Sequence, residues 1–390
     1  MNPDQNPNTQ EKREIYLDNS ATTRVCPEAV AKITEMLTEN YGNPSSLHAK
    51  GLQAQRELES ARQAVAGALD VMPKEIYFTS GGTEANNLAL FGAAKAGSRR
   101  GKRIVSTAIE HPSVLEPLAR LEKEGFEVVL LQPDSGGFIP EESIYQAVNE
   151  QTVLVSLMAV NNEVGSIQPW KAARRAIDRV HAPALLHVDA VQAFGKLPLF
   201  PGRDGVDLMT VSAHKIHGPK GAGALYVSQK THLQPRVFGG GQERNLRSGT
   251  EALPAIAGFG AAVRALPGIR QTEEQVASLC ALCKEKLLAI PGVELNSPAQ
   301  GGLPYLVNFS ARGLRSETLL HFLENLGVYV SSGSACAKGK QSHVLTAMGL
   351  PRERVQSAIR VSFSRYNTPQ DVDALAQGVA QGMATLARSR

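Results

Sequence analysis

Cysteine is scarce in this sequence, and four cysteines among 390 residues are too few for a disulfide framework. No apolar run reaches the roughly 18 residues that would span a bilayer, so we expect no membrane contact. Residues 1–14 are mostly Asn, Gln, Pro and charged side chains, without the apolar segment of a secretory signal. These absences favour a cytoplasmic location, where an important cysteine would act as a thiol.

A large excess of either charge is also missing. Lys and Arg number 41 against 37 Asp and Glu, and the resulting net charge of +4 does not indicate direct nucleic-acid binding. A hydrophobic share of 42% and a charged share of 20% are typical of a globular protein and exclude collagen, coiled coil and general disorder. The length exceeds one ordinary domain, so two domains are expected.

Short apolar, β-branched runs alternate with helix-like stretches between about residues 75 and 230. The predicted strands are Glu75–Thr79, Arg103–Thr107, Glu127–Leu131, Val153–Val160 and Leu185–Val188, and the predicted helices are Thr83–Ala96, Pro112–Glu124 and Pro169–Val180. This alternation predicts an α/β fold with a mostly parallel sheet covered on both faces. Ligands bind at the carboxyl ends of such strands, so the residues that follow each strand are the candidate site residues.

The pattern changes beyond about residue 248. A long helical region is predicted over Ala252–Ala289, followed by strand candidates at Tyr305–Ser310 and Ile359–Phe363. We therefore expect a mobile tail over residues 1–14 and a large domain over 15–265, whose first residues pack on the small domain. Residues 266–390 would form that smaller α+β domain.

Two glycines and a threonine follow the first predicted strand, in Ser80-Gly81-Gly82-Thr83-Glu84. Backbone N–H groups at a helix start, together with the Thr83 hydroxyl, form an anion site. A tight turn with a helix cap is the alternative interpretation. The motif lacks the Lys-Ser/Thr ending of a nucleotide-binding P-loop.

A carboxylate and a lysine follow two further apolar runs. Asp189 ends the run at Leu185–Val188, and Ser212-Ala213-His214-Lys215 follows Asp207–Val211. A lysine after a buried strand has a lowered pKa and is suited to imine formation, whereas Asp189 by itself is more typical of a helix N-cap or a structural hydrogen bond. His214 and His217 lack a carboxylate or cysteine at ligand spacing, so no metal site is predicted.

These clusters fit one cofactor, pyridoxal 5′-phosphate. It needs a lysine for the imine, a carboxylate for its ring nitrogen, donors for its phosphate and a flat group against its ring. His111, which comes after the strand at Arg103–Thr107, is the candidate for that flat group, although an ordinary loop histidine is the alternative.

Cys336 is the candidate reactive thiol. It lies among Ser, Gly and Ala, and Lys338 and Lys340 would favour its thiolate form; an incidental free cysteine is the alternative. Cys280 and Cys283 lie within a helical pattern, where core positions are favoured over a metal or redox site. Arg360 lies in an apolar strand, where it would grip a substrate carboxylate or form a structural ion pair.

Taken together, these motifs resemble the cysteine desulfurases of the NifS/IscS type, within the class-V aminotransferases of pyridoxal-phosphate fold type I. The resemblance runs from about Tyr16 to Tyr366. It rests on the segments that begin Tyr16-Leu-Asp-Asn-Ser-Ala-Thr-Thr, Gly42-Asn-Pro-Ser-Ser, Thr79-Ser-Gly-Gly-Thr-Glu, Glu110-His, Asn161-Asn-Glu-Val-Gly, His187-Val-Asp-Ala-Val-Gln, Ser212-Ala-His-Lys, Arg247-Ser-Gly-Thr and Ser331-Ser-Gly-Ser-Ala-Cys.

The resemblance assigns roles position by position. Lys215 resembles the imine lysine, Asp189 the partner of the ring nitrogen and His111 the stacking histidine. The other cofactor contacts that it implies are Asn162 and Gln192 at the phenolic oxygen, Gly82, Thr83, Ser212 and His214 at the phosphate, and Thr250 lent by a neighbouring subunit of a homodimer. Arg360 and Asn43 resemble substrate-carboxylate contacts.

The activity implied by the resemblance is conversion of L-cysteine to L-alanine, with the sulfur taken by Cys336 as a persulfide. A sulfur-acceptor protein, either an iron–sulfur scaffold or a tRNA thiolation enzyme, is the implied partner. No resident metal is expected, with Cys336 at most a transient ligand of an iron–sulfur cluster. The alternatives are a selenocysteine lyase, another fold type I enzyme, or a non-catalytic sulfur carrier that would bind no cofactor.

Overall fold

The computed structural model of the protein describes residues 13–332 and 341–387. Its strands are β1 (Ile15–Tyr16), β2 (Ile76–Thr79), β3 (Arg103–Thr107), β4 (Glu127–Leu131), β5 (Thr152–Met158), β6 (Leu185–Asp189), β7 (Leu208–Ser212), β8 (Gly223–Val227), β9 (Val293–Leu295), β10 (Leu306–Ala311), β11 (Val328–Tyr329) and β12 (Ala358–Ser362). Its helices are α1 (Pro27–Thr38), α2 (Ala49–Leu69), α3 (Gly82–Gly97), α4 (Pro112–Lys123), α5 (Glu141–Ala147), α6 (Trp170–Arg179), α7 (Leu253–Arg264), α8 (Ile269–Leu288), α9 (Ser316–Asn325), α10 (His343–Ala347), α11 (Arg352–Gln356) and α12 (Pro369–Thr385).

A seven-stranded sheet in the order β2-β8-β7-β6-β5-β3-β4 forms the centre of the molecule. Strands β3 to β7 pair in parallel, and every residue of β5 and β7 is buried. This matches the continuous apolar runs of the sequence, because parallel strands are covered on both faces. The predicted α/β fold is confirmed.

Strand β8 departs from the parallel pattern. It pairs antiparallel with both β7 and β2. The chain returns from β7 through a glycine-rich turn, whereas a parallel neighbour would need a longer crossover. The sheet is therefore mixed at this edge.

Helices cover the two faces of the large sheet. Helix α3 packs across β5 to β8 and against α4, and α6 packs on β5 and β6. Phe259 of α7 makes edge-to-face contacts with Phe78 of β2 and with Phe194. None of the helices in the described ranges has the combined length and apolar character that crossing a membrane requires.

The long helical region predicted over Ala252–Ala289 is two helices. Helix α7 ends at Arg264 and α8 begins at Ile269. Pro267 and Gly268 lie between them. Proline lacks an amide donor and glycine favours chain reversal, so one continuous helix was the wrong prediction here.

Two small sheets lie beside the large one. Strands β12, β10 and β9 form an antiparallel sheet, and the first strand, β1, pairs in parallel with β11. Just after β1, Asp18 forms a bridge with Ser362 of β12. The start of the described chain is therefore held by residues more than 300 positions later, and residues 19–22 continue from there toward Lys215.

Candidate active site

A cavity of about 470 Å³ lies where the carboxyl ends of the parallel strands meet the small sheets. This volume falls within the range of small-molecule pockets, about 300–1,000 Å³. Ten of the predicted site residues line it: Gly82, Thr83, His111, Asn162, Asp189, Gln192, Ser212, His214 and Lys215, and Arg360 from the small sheet. The expectation that residues after the strands converge is therefore met for these positions.

Lys215 lies on the 3₁₀ turn Ala213–Lys215, directly after β7. Its Nζ donates hydrogen bonds to the backbone oxygens of Ser20 and Ala21, the latter at 2.8 Å. Both acceptors belong to the segment that follows β1. The amine is thus oriented by residues that lie about 195 positions earlier in the chain.

Asp189 ends β6 and is 6% exposed. Its Oδ2 accepts a 2.8 Å hydrogen bond from Nδ2 of Asn86, and its Oδ1 accepts one from the backbone N–H of Val191 at 3.0 Å. Asn86 lies on α3 and also donates to the Ser113 hydroxyl. These donors compensate for burial of the carboxylate, and Asn86 is a site residue that the sequence analysis missed.

His111 caps the N-terminus of α4. Its Nδ1 accepts from the backbone N–H of Ser113 at 3.1 Å, which leaves Nε2 as the protonated nitrogen of the neutral ring. Burial lowers the pKa of His111, and the positive charges of Lys215 and His343 lower it further, although Asp189 opposes them. A neutral, flat imidazole therefore faces the cavity.

The start of α3 forms the opposite end of the cavity. Gly81 has a φ of 153°, and a Cβ on Gly82 would lie 2.9 Å from Cγ2 of Val191, so larger residues would disturb this turn. The Ser212 hydroxyl is buried without a hydrogen-bond partner among the described residues. Burial lowers the pKa of His214 to about 4, helped by the charges of Lys215 and Lys220.

These features test whether the site suits pyridoxal 5′-phosphate. A helix N-terminus with an unsatisfied hydroxyl suits a phosphate. Lys215 supplies an amine, and Asp189 supplies a buried carboxylate at the end of β6. The residues present therefore fit the cofactor that the sequence predicts.

Arg360 extends from β12 into the same cavity, and its side chain is 3% exposed. One terminal nitrogen contacts Asp18 Oδ1 at 2.8 Å, and the other donates to the backbone oxygen of Asn162 at 3.0 Å. Its Nε is buried with no partner in the described part of the chain. The structural ion pair foreseen as the alternative thus exists, and donor capacity remains unused.

Three predicted site residues lie elsewhere. Asn43 and Thr250 are exposed and do not line the cavity within this chain. Cys336 falls in 333–340, outside the described residues. Within the ranges described, Cys26, Cys280 and Cys283 are buried free thiols, and no cluster of three or more His, Cys, Asp or Glu side chains could hold a metal ion.

Glu110 is a further buried group, next in sequence to the lining residue His111. Its side chain is fully buried, and burial raises its pKa to about 8, with the charge of Asp189 adding to the effect. Its backbone oxygen bonds to Nε2 of His343, which lines the cavity. The Glu110-His111 pair gave a motif in the sequence, but no local pattern indicated a neutral carboxyl.

Comparison with known proteins places these observations in a family. The class-V aminotransferase family matches residues 15–375. The chain is 40% identical to cysteine desulfurase IscS of Methanosarcina thermophila over 95% of this chain and 92% of that protein. It is 39% identical to cysteine desulfurase IscS of Dictyoglomus turgidum, over 93% and 92% of the two chains.

Solved structures agree. A NifS-like protein superposes with a TM-score of 0.91 at 38% identity, covering 96% of this chain and all of that one. The resemblance drawn from the motifs is confirmed over nearly the whole length. The chain belongs to the class-V aminotransferase family of pyridoxal-phosphate-dependent enzymes, and within it to the cysteine desulfurases.

Proposed function

We propose that this protein removes sulfur from L-cysteine, releases L-alanine and passes the sulfur to Cys336. The observation that carries the proposal is the meeting of Lys215, Asp189, His111 and Arg360 around one cavity. An amine, a buried carboxylate, a flat neutral ring and a buried arginine are the groups that an amino-acid substrate and pyridoxal phosphate require. The relatives that share this chain's length are named cysteine desulfurases.

Each residue has a separate task in this proposal. Lys215 would hold the cofactor and carry protons at Nζ, which Ser20 and Ala21 keep oriented. Asp189 would pair with the ring nitrogen, and Asn86 supports its carboxylate. When bound, pyridoxal phosphate supplies an electron sink for the bond broken at the substrate α-carbon.

Arg360 would bind the substrate carboxylate. Its guanidinium is planar and presents donors in a fixed fork that suits a carboxylate. The Nε of Arg360 has no partner within the described residues, and Asp18 accepts a hydrogen bond from only one of its terminal nitrogens. Asn162 accepts from the other and keeps the guanidinium turned toward the cavity.

Cys336 would receive the sulfur. The chain on either side of it is tied to the cavity wall: Ser331 pairs with Arg360 through backbone bonds of 2.7 and 3.1 Å, and Ser342 donates to the buried Glu163. Cys336 is five residues from Ser331, and five residues of chain span at most about 18 Å. The described residues on both sides of the segment that contains Cys336 are therefore held at the cavity.

The test is a set of single variants assayed for alanine release and persulfide location. Lys215→Ala should lose the visible absorption band and turnover. Cys336→Ser should keep the band, form no persulfide and release almost no alanine. Cys280→Ser, at a buried helix position, is the matched control and should turn over normally once folded.

Four results would reject the proposal. Wild-type turnover by Cys336→Ser would exclude its role as acceptor. Alanine formed only when a 2-oxo acid is present would indicate a plain aminotransferase. A wild-type protein that binds no pyridoxal phosphate but holds a persulfide would be a sulfur carrier, and a strong preference for selenocysteine would indicate a lyase of that substrate.

We further propose a homodimer with shared sites. The support is an exposed apolar group on the segments that also carry Asn43 and Thr250: Leu37, Tyr41, Leu47 and Phe238 are 63%, 69%, 104% and 80% exposed. The first segment leads into α2, and the second contacts α2 through Glu243, which forms a bidentate pair with Arg62 at 2.8 Å. Exposed apolar patches of this kind mark interaction sites.

Sedimentation tests this arrangement. The wild type should sediment at twice the chain mass of 41.7 kDa. Leu47→Asp with Phe238→Asp should give monomers with weak cofactor binding, because Thr250 would no longer reach a neighbouring phosphate site. Leu288→Asp, at a 56% exposed position on α8, is the control and should stay dimeric. A fully active monomeric wild type would contradict the proposal.

The sulfur acceptor would be a second protein, an iron–sulfur scaffold or a tRNA thiolation enzyme, with no direct contact to nucleic acid. The setting would be the reducing cytoplasm, which keeps the proposed acceptor Cys336 as a thiol. Incubating the persulfide-loaded enzyme with each candidate acceptor and mapping the transferred sulfur tests the choice. Transfer to neither class would remove this part of the proposal.

A further inference from the structure

Lys196 is a buried cation behind the cofactor cavity. It follows β6 by a short turn and is 9% exposed. Its Nζ donates to Oε1 of Gln192 at 3.5 Å and lies 5.7 Å from the ring centroid of Tyr305. No carboxylate lies within ion-pair distance of it in the part of the chain described. A buried ammonium with so little compensation is costly to keep.

The contact with Lys196 decides the orientation of the Gln192 amide. An ammonium can only donate, so the amide oxygen must face it. The amide NH₂ then lies on the other side, where it donates to the Ser20 backbone oxygen at 3.0 Å. A reversed amide would set NH₂ against the ammonium and oxygen against a carbonyl, so both contacts would be repulsive.

The same hydrogen bonds connect Lys196 to the reactive amine. Ser20 accepts from Gln192 and from Lys215 at one backbone oxygen. The order of contacts is thus Lys196, Gln192, Ser20, Lys215. Gln192 also lines the cofactor cavity, and its second amide hydrogen is available to an oxygen bound there.

A second, smaller cavity supports this connection. It measures about 30 Å³ and is lined by Lys196, Lys215 and Tyr305, among others. This volume admits one or two water molecules. The Tyr305 hydroxyl is buried and has no hydrogen-bond partner among the described residues. Lys215 therefore lines both the cofactor cavity and a small cavity shared with Lys196.

The charged group that acts on Lys196, Arg360, is also positive. Burial, and to a smaller extent the charge of Arg360 on β12, lower the pKa of Lys196 to about 8. The ammonium is therefore mostly protonated at neutral pH. Burial is the main reason why the pKa values of His214 and His217 are lowered to about 4. Other positive charges contribute next, and the charge of Lys196 adds to the effect at both histidines. Positive potential is therefore concentrated behind Lys215.

We propose that Lys196 is a positioning residue for the reaction: its ammonium holds Gln192 with the NH₂ toward the cavity and disfavours protonation at Lys215. The inference rests on the proposed function, because it assumes that Lys215 carries pyridoxal phosphate. Its own content is the effect of Lys196, which acts through Gln192 and through charge without touching the substrate.

The test is a pH titration of the visible absorption band of the cofactor-loaded enzyme, which reports protonation at Lys215 without turnover. Lys196→Met removes the charge and the donor, so the midpoint should rise by about 0.5 to 1 pH unit, less than the 1–3 units of a directly contacting charge. Lys196→Gln keeps a donor for Gln192 and should rise by less. Lys230→Met, at an exposed lysine, is the control and should leave the midpoint unchanged.

A second comparison isolates the route through Gln192. In a Gln192→Leu background the effect of Lys196→Met should shrink, since residues that act together are not additive. An unchanged midpoint in folded Lys196→Met overturns the inference, and if that variant does not fold, an unchanged midpoint in Lys196→Gln does so. Absence of the visible band in the wild type would instead reject the proposed function.

Discussion

The stability of Glu110→Gln relative to that of the wild type should increase from acid to neutral pH. Glu110 Oε1 accepts from the Met158 N–H and from the Thr107 hydroxyl, each at 2.8 Å. Oε2 is buried without a partner among the described residues. Burial first, and then the charge of Asp189, raise the pKa of Glu110 from 4.5 to about 8.

The size of the effect follows from proton binding. The folded protein keeps the Glu110 proton up to about pH 8, whereas the unfolded chain releases it near 4.5. The stability contributed by this proton is fully present below pH 4.5 and is lost as the pH rises toward 8. Between pH 5 and 7 the loss is about 2–3 kcal/mol for one group, at about 1.4 kcal/mol per pKa unit.

Glutamine removes this dependence because its Oε1 can accept both hydrogen bonds and it has no proton to lose. For 390 residues, about 2–3 kcal/mol corresponds to a Tm change of about 3 °C. The Tm of Glu110→Gln minus that of wild type should therefore increase by about 3 °C from pH 5 to pH 7.

Thermal unfolding of the loaded enzyme at one scan rate measures this difference, since irreversible unfolding makes Tm depend on the rate. Glu122→Gln, an exposed position on α4, is the matched control and should show no change in the difference. Parallel Tm curves for Glu110→Gln and wild type would refute the neutral buried carboxyl.

Two further predictions concern buried arginines. Arg62→Met leaves the Glu243 carboxylate buried without its ion-pair partner, so the free energy of unfolding in denaturant titrations should fall by about 3–5 kcal/mol. Arg203→Met, which removes an exposed ion pair with Asp70, is the control and should change the free energy of unfolding little. Equal losses in the two variants would contradict this prediction. Arg360→Lys loses the planar fork, so KM for L-cysteine should rise by about tenfold or more while the visible band stays; an unchanged KM would exclude Arg360 as the carboxylate contact.

The sequence predicted the site where local signals sufficed. Lys215, Asp189 and His111 each follow an apolar run, and in a parallel sheet the ends of such runs meet at one edge. Their convergence around a single cavity follows from that rule. The strands at Arg103–Thr107 and Glu127–Leu131 have the predicted bounds because their apolar runs are likewise local signals.

Other features depend on contacts that no local pattern carries. Strand β8 was not among the predicted strands, although Gly223–Val227 is a continuous buried strand. The pairing of β1 with β11 joins two-residue strands, too short for periodicity to show. The shifted pKa values of Lys196 and Glu110 could not be predicted, because burial is their main cause and the charges that add to it, on Arg360 and Asp189, are distant in sequence.

The contact between Leu17, just after β1, and Ser362 of β12 also sets when the site can form during synthesis. Leu17 meets Ser362 across 345 positions, and at about 5–20 residues per second the ribosome needs about 17–70 s to make the intervening chain. Residues 19–22, which orient Lys215, therefore cannot be held in place until β12 has been synthesised. A product truncated before β12 would lack the support for these residues, so incomplete chains should not acquire the reactive lysine geometry.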